Sequence, residues 1–319
     1  MALAVRVFIT NPNNYIFSHI VTKLKQSDCE ISTLVWDPVE ERKLDLSNIE
    51  IFYGNLRNKD SFEHMLYKVD VVIYLVENVF YSDAEFTEKY HLTCLNNLLL
   101  LSKQEKVPKI VFHSYLNIIG EKDIPYIKML RSLESVIEKQ SIPYTIIKSG
   151  FPVGGDDQIS QSFSALLKCF PVMIMPKSNS KNLLTIATSD LVNIIKDIMF
   201  NNDYKNKKIE VSCLERIALI DFFRIVKDKM GIKRLCILFP DRLWDGIFLF
   251  LHKIFRFNKS FQLIFLMNFR WSLRKNYIHS FLDYEPKILK KSLDFFRKPS
   301  FFKGLFIILR NHNRHRRFR

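Results

Sequence analysis

Glycine is scarce in this chain, with eight residues in 319. Cysteine is scarcer still, with five. Cys29, Cys94, Cys169, Cys213 and Cys236 are scattered, no pair has the short spacing of a metal knuckle or a redox motif, and the number is odd. This pattern excludes a disulfide framework. It predicts reduced, buried thiols in an intracellular reducing compartment, cytoplasmic or on the matrix side of an organelle. No uninterrupted apolar run reaches about 18 residues, the length that reads as a spanning helix. The opening MALAVRVFIT ends in a polar turn without a cleavage site, so a secretory signal is not expected. No group of His, Cys, Asp and Glu has metal-ligand spacing, so no metal site is expected. No G-x-S-x-G elbow occurs, which removes the serine-hydrolase reading.

What is present is a globular composition, 48% hydrophobic and 25% charged. The length suits a core domain plus a smaller second one. The net charge of +15 is unevenly placed. Residues 250–319 hold 17 of the 48 Lys and Arg, against only Asp283, Glu285 and Asp294, a net of +14. An anionic partner is therefore to be sought at that end.

Strand and helix signals alternate along the first half. Val5–Ile9 (VRVFI), Ile31–Val35, Ile49–Tyr53, Val71–Val76, Lys109–His113 and Tyr144–Lys148 read as strands. Helical spacing follows the break at Pro12-Asn13-Asn14, and recurs over 60–67, 83–105 and 125–140. Strands separated by helices in this way predict a doubly wound parallel Rossmann sheet, with ligands at the carboxyl ends of its strands. Later, 159–169, 189–200 and 219–230 read as helices and Lys208–Ser212 as a strand, a smaller α+β cap. The expected organisation is a Rossmann core over 1–155, a cap over 156–242 and a basic, aromatic helical tail over 243–319.

The turn after the first strand reads Thr10-Asn11-Pro12-Asn13-Asn14-Tyr15-Ile16-Phe17. It resembles the T-G-A-T-G-Y-I-G turn of atypical short-chain dehydrogenase/reductases, with Asn11, Asn14 and Phe17 in the glycine places. Leu34-Val35-Trp36-Asp37-Pro38 resembles the L-V-R-D-P that ends strand 2 in NmrA-like reductases, with Trp36 in place of arginine. Tyr53-Gly54-Asn55-Leu56 is similar to their G-D-L, and Pro143–Gly154 (PYTIIKSGFPVG) to their P-x-T-x-x-R-x-G-x-x-x-G. Phe170–Lys177 and Thr185–Leu191 resemble two later segments of a bacterial NAD(P)H-binding branch. The same superfamily includes the Rossmann-fold accessory subunit of respiratory complex I. The resemblance implies a dinucleotide, NADP or NAD. It would lie along Thr10, Asn11, Asn13, Asn14, Tyr15 and Ile16, then Trp36, Asp37, Asn55, Leu56, Leu75, Ser114 and Lys148.

Such a turn uses glycine to let backbone approach the pyrophosphate and to pack helix on strand. Asparagine tolerates positive φ, but its side chain occupies space, and Pro12 lacks a donor. These losses imply a cofactor weakly held or lost. The Tyr-x-x-x-Lys pair of the wider superfamily is incomplete: Tyr126 has Leu130 four residues on, and Lys128 falls on another part of the helix. Ser114 follows strand 5, where a catalytic Ser or Thr sits in the family. Ser114, Tyr126 and Lys128 are thus the catalytic candidates. The expectation is a non-catalytic accessory or regulatory protein. The alternative is an NAD(P)H-dependent oxidoreductase or epimerase-like enzyme acting on a small molecule.

Residues 243–274 interleave aromatic and aliphatic residues with Lys253, Arg256, Lys259, Arg270 and Arg274. This pattern suits a helix lying in an anionic membrane interface. It equally suits an apolar protein partner or the cap's own core. Nucleic acid is disfavoured, because no recognised binding module is present.

Overall fold

The computed structural model describes residues 4–36, 47–76, 84–119, 124–154, 157–177, 182–240, 243–244, 246–247, 250 and 270–293. Strands β1 (Val5–Ile9), β2 (Cys29–Val35), β3 (Glu50–Tyr53), β4 (Val71–Leu75), β5 (Lys109–Tyr115), the two-residue β6 (Asn117–Ile118) and β7 (Tyr144–Ser149) come first. Later strands are β8 (Phe151–Val153), β9 (Val172–Pro176), β10 (Asn182–Ala187), β11 (Lys207–Val211), β12 (Arg216–Ala218), β13 (Leu235–Phe239) and β14 (Trp271–Ser272). The main sheet runs β11-β7-β5-β4-β1-β2-β3, and every adjacent pair is parallel. The chain order reverses between β1 and β4, which is where a doubly wound sheet opens a ligand crevice.

Both faces of the sheet are covered, and alternation along each strand assigns side chains to one face or the other. On one face lie α1 (Tyr15–Leu24) and, later in the chain, residues Thr188–Phe200. Val71, Ile73 and Leu75 point into that layer, with Ile16, Phe17, Ile20 and Ile195. Val72 and Tyr74 point the other way, under a 3₁₀ segment (Lys59–Leu66), α2 (Ala84–Gln104) and α3 (Pro125–Glu138). The segment expected as a helix over 60–67 is 3₁₀, with a kink at Phe62 (φ −140°). After α4 (Gln158–Cys169), the helix at Thr188–Phe200 is α5, and α6 (Leu219–Met230) ends on Gly231, whose φ of 63° closes it in a left-handed cap. A short α7 (Leu289–Ser292) comes last.

Two differences from the sequence reading matter for the site. First, α5 and β11, expected in the cap, complete the Rossmann sandwich, with β11 as the seventh strand. What remains of the cap is α4, α6, the small sheet β12-β10-β8 and the parallel pair β9 and β13. Second, Arg270–Leu293, expected within a separate helical tail, packs on the core. β14 pairs antiparallel with β6. Asn276 exchanges hydrogen bonds with the Ser212 backbone, and the Tyr284 hydroxyl donates to Asp190 at 3.0 Å. Trp271, Ile278, Leu289 and Leu293 are fully buried. The tail residues 251–269 and 294–319 lie outside the described residues.

Candidate functional site

The crevice begins where β1 ends. Thr10 is buried and ties that end to β4: its hydroxyl donates to the Leu75 carbonyl at 3.1 Å and accepts from the Leu75 N–H at 2.9 Å. Asn11 then turns the chain with a φ of 54°, a conformation asparagine adopts more readily than other residues with a side chain. The Asn14 N–H donates back to the Asn11 carbonyl at 3.0 Å, closing the turn.

Asn14 is the N-cap of α1, and its side chain does two things. Its Oδ1 accepts from the Ile16 N–H at 3.0 Å, and its Nδ2 donates to the Val76 carbonyl at 3.0 Å. The Phe17 N–H donates to the Asn14 carbonyl at 3.0 Å. A helix N-terminus binds an anion through free N–H groups. Here the N–H groups of Asn14, Ile16 and Phe17 are all engaged within the turn. Phe17, in the third glycine place, is 2% exposed and fills the layer between sheet and helix. Tyr15 reaches across the crevice, its hydroxyl 2.8 Å from Thr188 Oγ1 at the start of α5. Gly154 lies directly beneath that contact, where a Cβ would come within 2.5 Å of the Tyr15 hydroxyl.

Beyond the turn, a recess lined by Asn11, Asn13, Trp36, Asn55, Leu56 and Leu75 opens toward β2 and β3. Trp36 is 46% exposed. Asn55 is committed to its own loop, accepting from the Arg57 N–H at 2.9 Å, and the Leu56 carbonyl takes a hydrogen bond from Asn97. Asp37, Glu77 and Asn78 lie outside the described residues.

The catalytic candidates are not brought together. Tyr126 is buried in the core beside Tyr115, and burial drives its phenol well above the usual range. Lys128 is exposed on α3. Ser114 is 1% exposed and donates to Glu134 Oε1 at 2.6 Å. Glu134 also pairs with Arg131 and with Lys148, whose Nζ is 3.4 Å from Oε2 and 2.6 Å from Asn117 Oδ1. Burial lowers the Lys148 ammonium's pKa, and the Glu134 carboxylate partly opposes that. Ser114 and Lys148 thus pin α3 to the sheet. Sequence reasoning missed Glu134 and Arg131. The available signal was an acid on a buried helical stripe, since Ile127, Leu130, Glu134 and Ile137 share one face. His113, 6% exposed, bonds the Ser149 hydroxyl at 2.8 Å, and burial holds its imidazole down to about 4.

At the carboxyl ends of β5 and β7 the space is aromatic. Trp271 packs edge-on to Phe151 with ring centres 4.6 Å apart and to Tyr115 at 6.2 Å. The chain's own returning segment therefore completes an aromatic cluster at these strand ends. Among the described residues, no group of three His, Cys, Asp or Glu is arranged to hold a metal ion, and no helix is long and apolar enough to cross a membrane.

Comparison with known proteins agrees with the geometry. The model of the NmrA-like family matches residues 5–229. The crystal structure of gox2253 superposes with a TM-score of 0.72 at 17% identity, covering 91% of this chain and 96% of that one. A nucleoside-diphosphate-sugar epimerase from Staphylococcus aureus gives 0.71 at 15%, covering 91% and 99%. Triphenylmethane reductase of Citrobacter sp., complexed with NADP(H), gives 0.69 at 13%, covering 90% and 98%. A search of curated protein sequences returns no significant match.

Proposed function

From the premise that this chain belongs to the NmrA-like family of NAD(P)-binding Rossmann proteins, we propose that it is a member with little or no dinucleotide binding, acting as a non-catalytic accessory or regulatory protein. The observation that carries this reading is Asn14: its carboxamide takes the Ile16 N–H that a pyrophosphate oxygen would need. The residues present do not fit the dinucleotide. Asn14 and Asn11 side chains stand at the glycine places, and Pro12 offers no N–H. No pair of Tyr126 with Lys128 or Ser114 forms a proton-transfer site. On this reading the described residues give a reductase or epimerase reaction no acid-base pair.

The same reading has the protein associated with a membrane or a membrane complex. The basic, aromatic composition of residues 251–269 and 294–319 supports that part. An active NAD(P)H-dependent oxidoreductase is the competing reading, favoured by Asn11 holding the turn in its glycine-like conformation. Calorimetric titration of the full chain with NADPH and NADH separates the two. Absence of binding at millimolar cofactor is expected, and micromolar affinity for either would sink the proposal.

A further inference from the structure

The cap carries a second apolar surface that the crevice does not use. β9 and β13 pair in parallel, with Val172 opposite Leu235, Met173 opposite Cys236 and Ile174 opposite Ile237. Side chains alternate between faces along a strand. Met173 and Cys236 pack inward on the core, while Leu238 at the far end of β13 is also exposed, at 45%. Val172, Ile174, Leu235 and Ile237 therefore share the outer face, where they are 41%, 37%, 62% and 42% exposed. A sheet with one solvated face ordinarily alternates apolar with polar residues. Neither VMIMP nor LCILF does so. Leu243 and Phe250, later in the chain, are also exposed.

The sequence flanking the two strands is mainly basic: the stretches 167–177 and 229–240 contain Lys168, Lys177, Lys229, Lys233 and Arg234, with Asp228 and Asp241 just outside them. We propose that the outer face of β9 and β13 is a membrane-docking surface. It would seat Val172, Ile174, Leu235 and Ile237 at the acyl boundary of an anionic bilayer, with the flanking lysines among the headgroups. An apolar protein partner would use the same four residues. The mainly basic flanks, followed by the net +14 of residues 250–319, match an extended negative surface better than a discrete patch. This inference deepens the membrane part of the function proposed above and is independent of the nucleotide turn.

Co-sedimentation of the full chain with vesicles tests it. The vesicles are phosphatidylcholine alone, or phosphatidylcholine with phosphatidylserine. The wild type should bind the phosphatidylserine vesicles at least about tenfold more tightly, and the Ile174→Ser/Ile237→Ser variant should lose about tenfold or more of that binding. Leu235→Glu, at the most exposed of the four positions, should show the same loss and serves if the double variant unfolds. A variant with Arg316, Arg317 and Arg319 changed to Gln reports the tail separately. Wild type that binds neither vesicle, or both equally, overturns docking on anionic lipid altogether. Wild type that binds while both face variants bind equally well overturns this face and leaves only the tail. Neither result bears on the cofactor titration.

Discussion

Replacing Asn14 with glycine should destabilise the protein and at the same time improve its hold on a dinucleotide. The stability side follows from two bonds. The cap to the Ile16 N–H is worth only a few tenths of a kcal/mol against glycine. The bond to the Val76 carbonyl matters more, because Val76 is 4% exposed. A stranded buried acceptor costs about 1–3 kcal/mol, toward the lower end when the vacated space admits water. The sum is about 1–2 kcal/mol, a fall of about 2–8 °C in the unfolding midpoint at about 2–4 °C per kcal/mol. The binding side follows from the freed Ile16 N–H. A hydrogen bond to a charged oxygen is worth about 1.5–3 kcal/mol, or on the order of 10–100-fold in affinity. Scanning calorimetry of both proteins with and without NADPH reads the two effects together. A variant as stable as the wild type would show that Asn14 does not cap and brace the turn. A variant that is less stable yet gains no affinity would show that the Asn14 carboxamide does not limit phosphate binding.

The remaining predictions concern the buried polar groups and the returning segment. Burial lowers the His113 imidazole from 6.5 to about 4, so its folded pKa lies below its unfolded one. The stability it contributes is complete above about pH 6.5 and is lost as pH falls toward 4, by about 3 kcal/mol, so urea midpoints of the wild type should drop more steeply there than those of His113→Asn. Parallel curves would count against that burial. Glu134→Ala should cost about 3–5 kcal/mol by stranding Lys148, which is 5% exposed, and Glu134→Ala/Lys148→Met should recover part of the loss. Strict additivity in chemical denaturation would disprove the coupling. Trp271→Ala should cost about 3–5 kcal/mol and speed hydrogen exchange across Arg270–Leu293; unchanged exchange would mean that the ring does not anchor the segment.

The Rossmann sheet is legible in the sequence because buried parallel strands write themselves as short apolar runs. VVIYL in β4 is buried at all five positions. The cap strands escape for a related reason. VMIMP and LCILF are apolar on both faces without being buried on both, so periodicity carries no sign of a half-exposed sheet. Lys208–Ser212 is recognisable as a strand, but nothing local says which sheet takes it; its pairing with β7 is a tertiary fact. The site is only half legible. Asn14 in a glycine place announces a perturbed turn. That its carboxamide turns back onto the Ile16 N–H, and that Ser114 and Lys148 face Glu134 under α3, depends on geometry that spacing does not encode. Trp271 is the extreme case: it stands 120 residues after Phe151, its nearest ring partner, and no pattern joins them.

The glycines that remain show what kind of constraint the fold still obeys. A Cβ at Gly54 would meet the Ser61 carbonyl oxygen at 2.6 Å, and one at Gly150 would meet the Leu184 carbonyl oxygen at 2.7 Å. At Gly154 the collision would be with the Tyr15 hydroxyl, at 2.5 Å. In each case the crowding partner is the protein itself. At positions 11, 14 and 17 the chain has side chains, and each has a place in the fold. Asn11 takes the left-handed turn, Asn14 braces β1 against β4, and Phe17 adds a buried ring to the layer under α1. Each of the three is thus a contributor to the folded core. Freeing the Ile16 N–H therefore gives up the brace that Asn14 supplies, which is why the Asn14→Gly variant should bind better and fold worse.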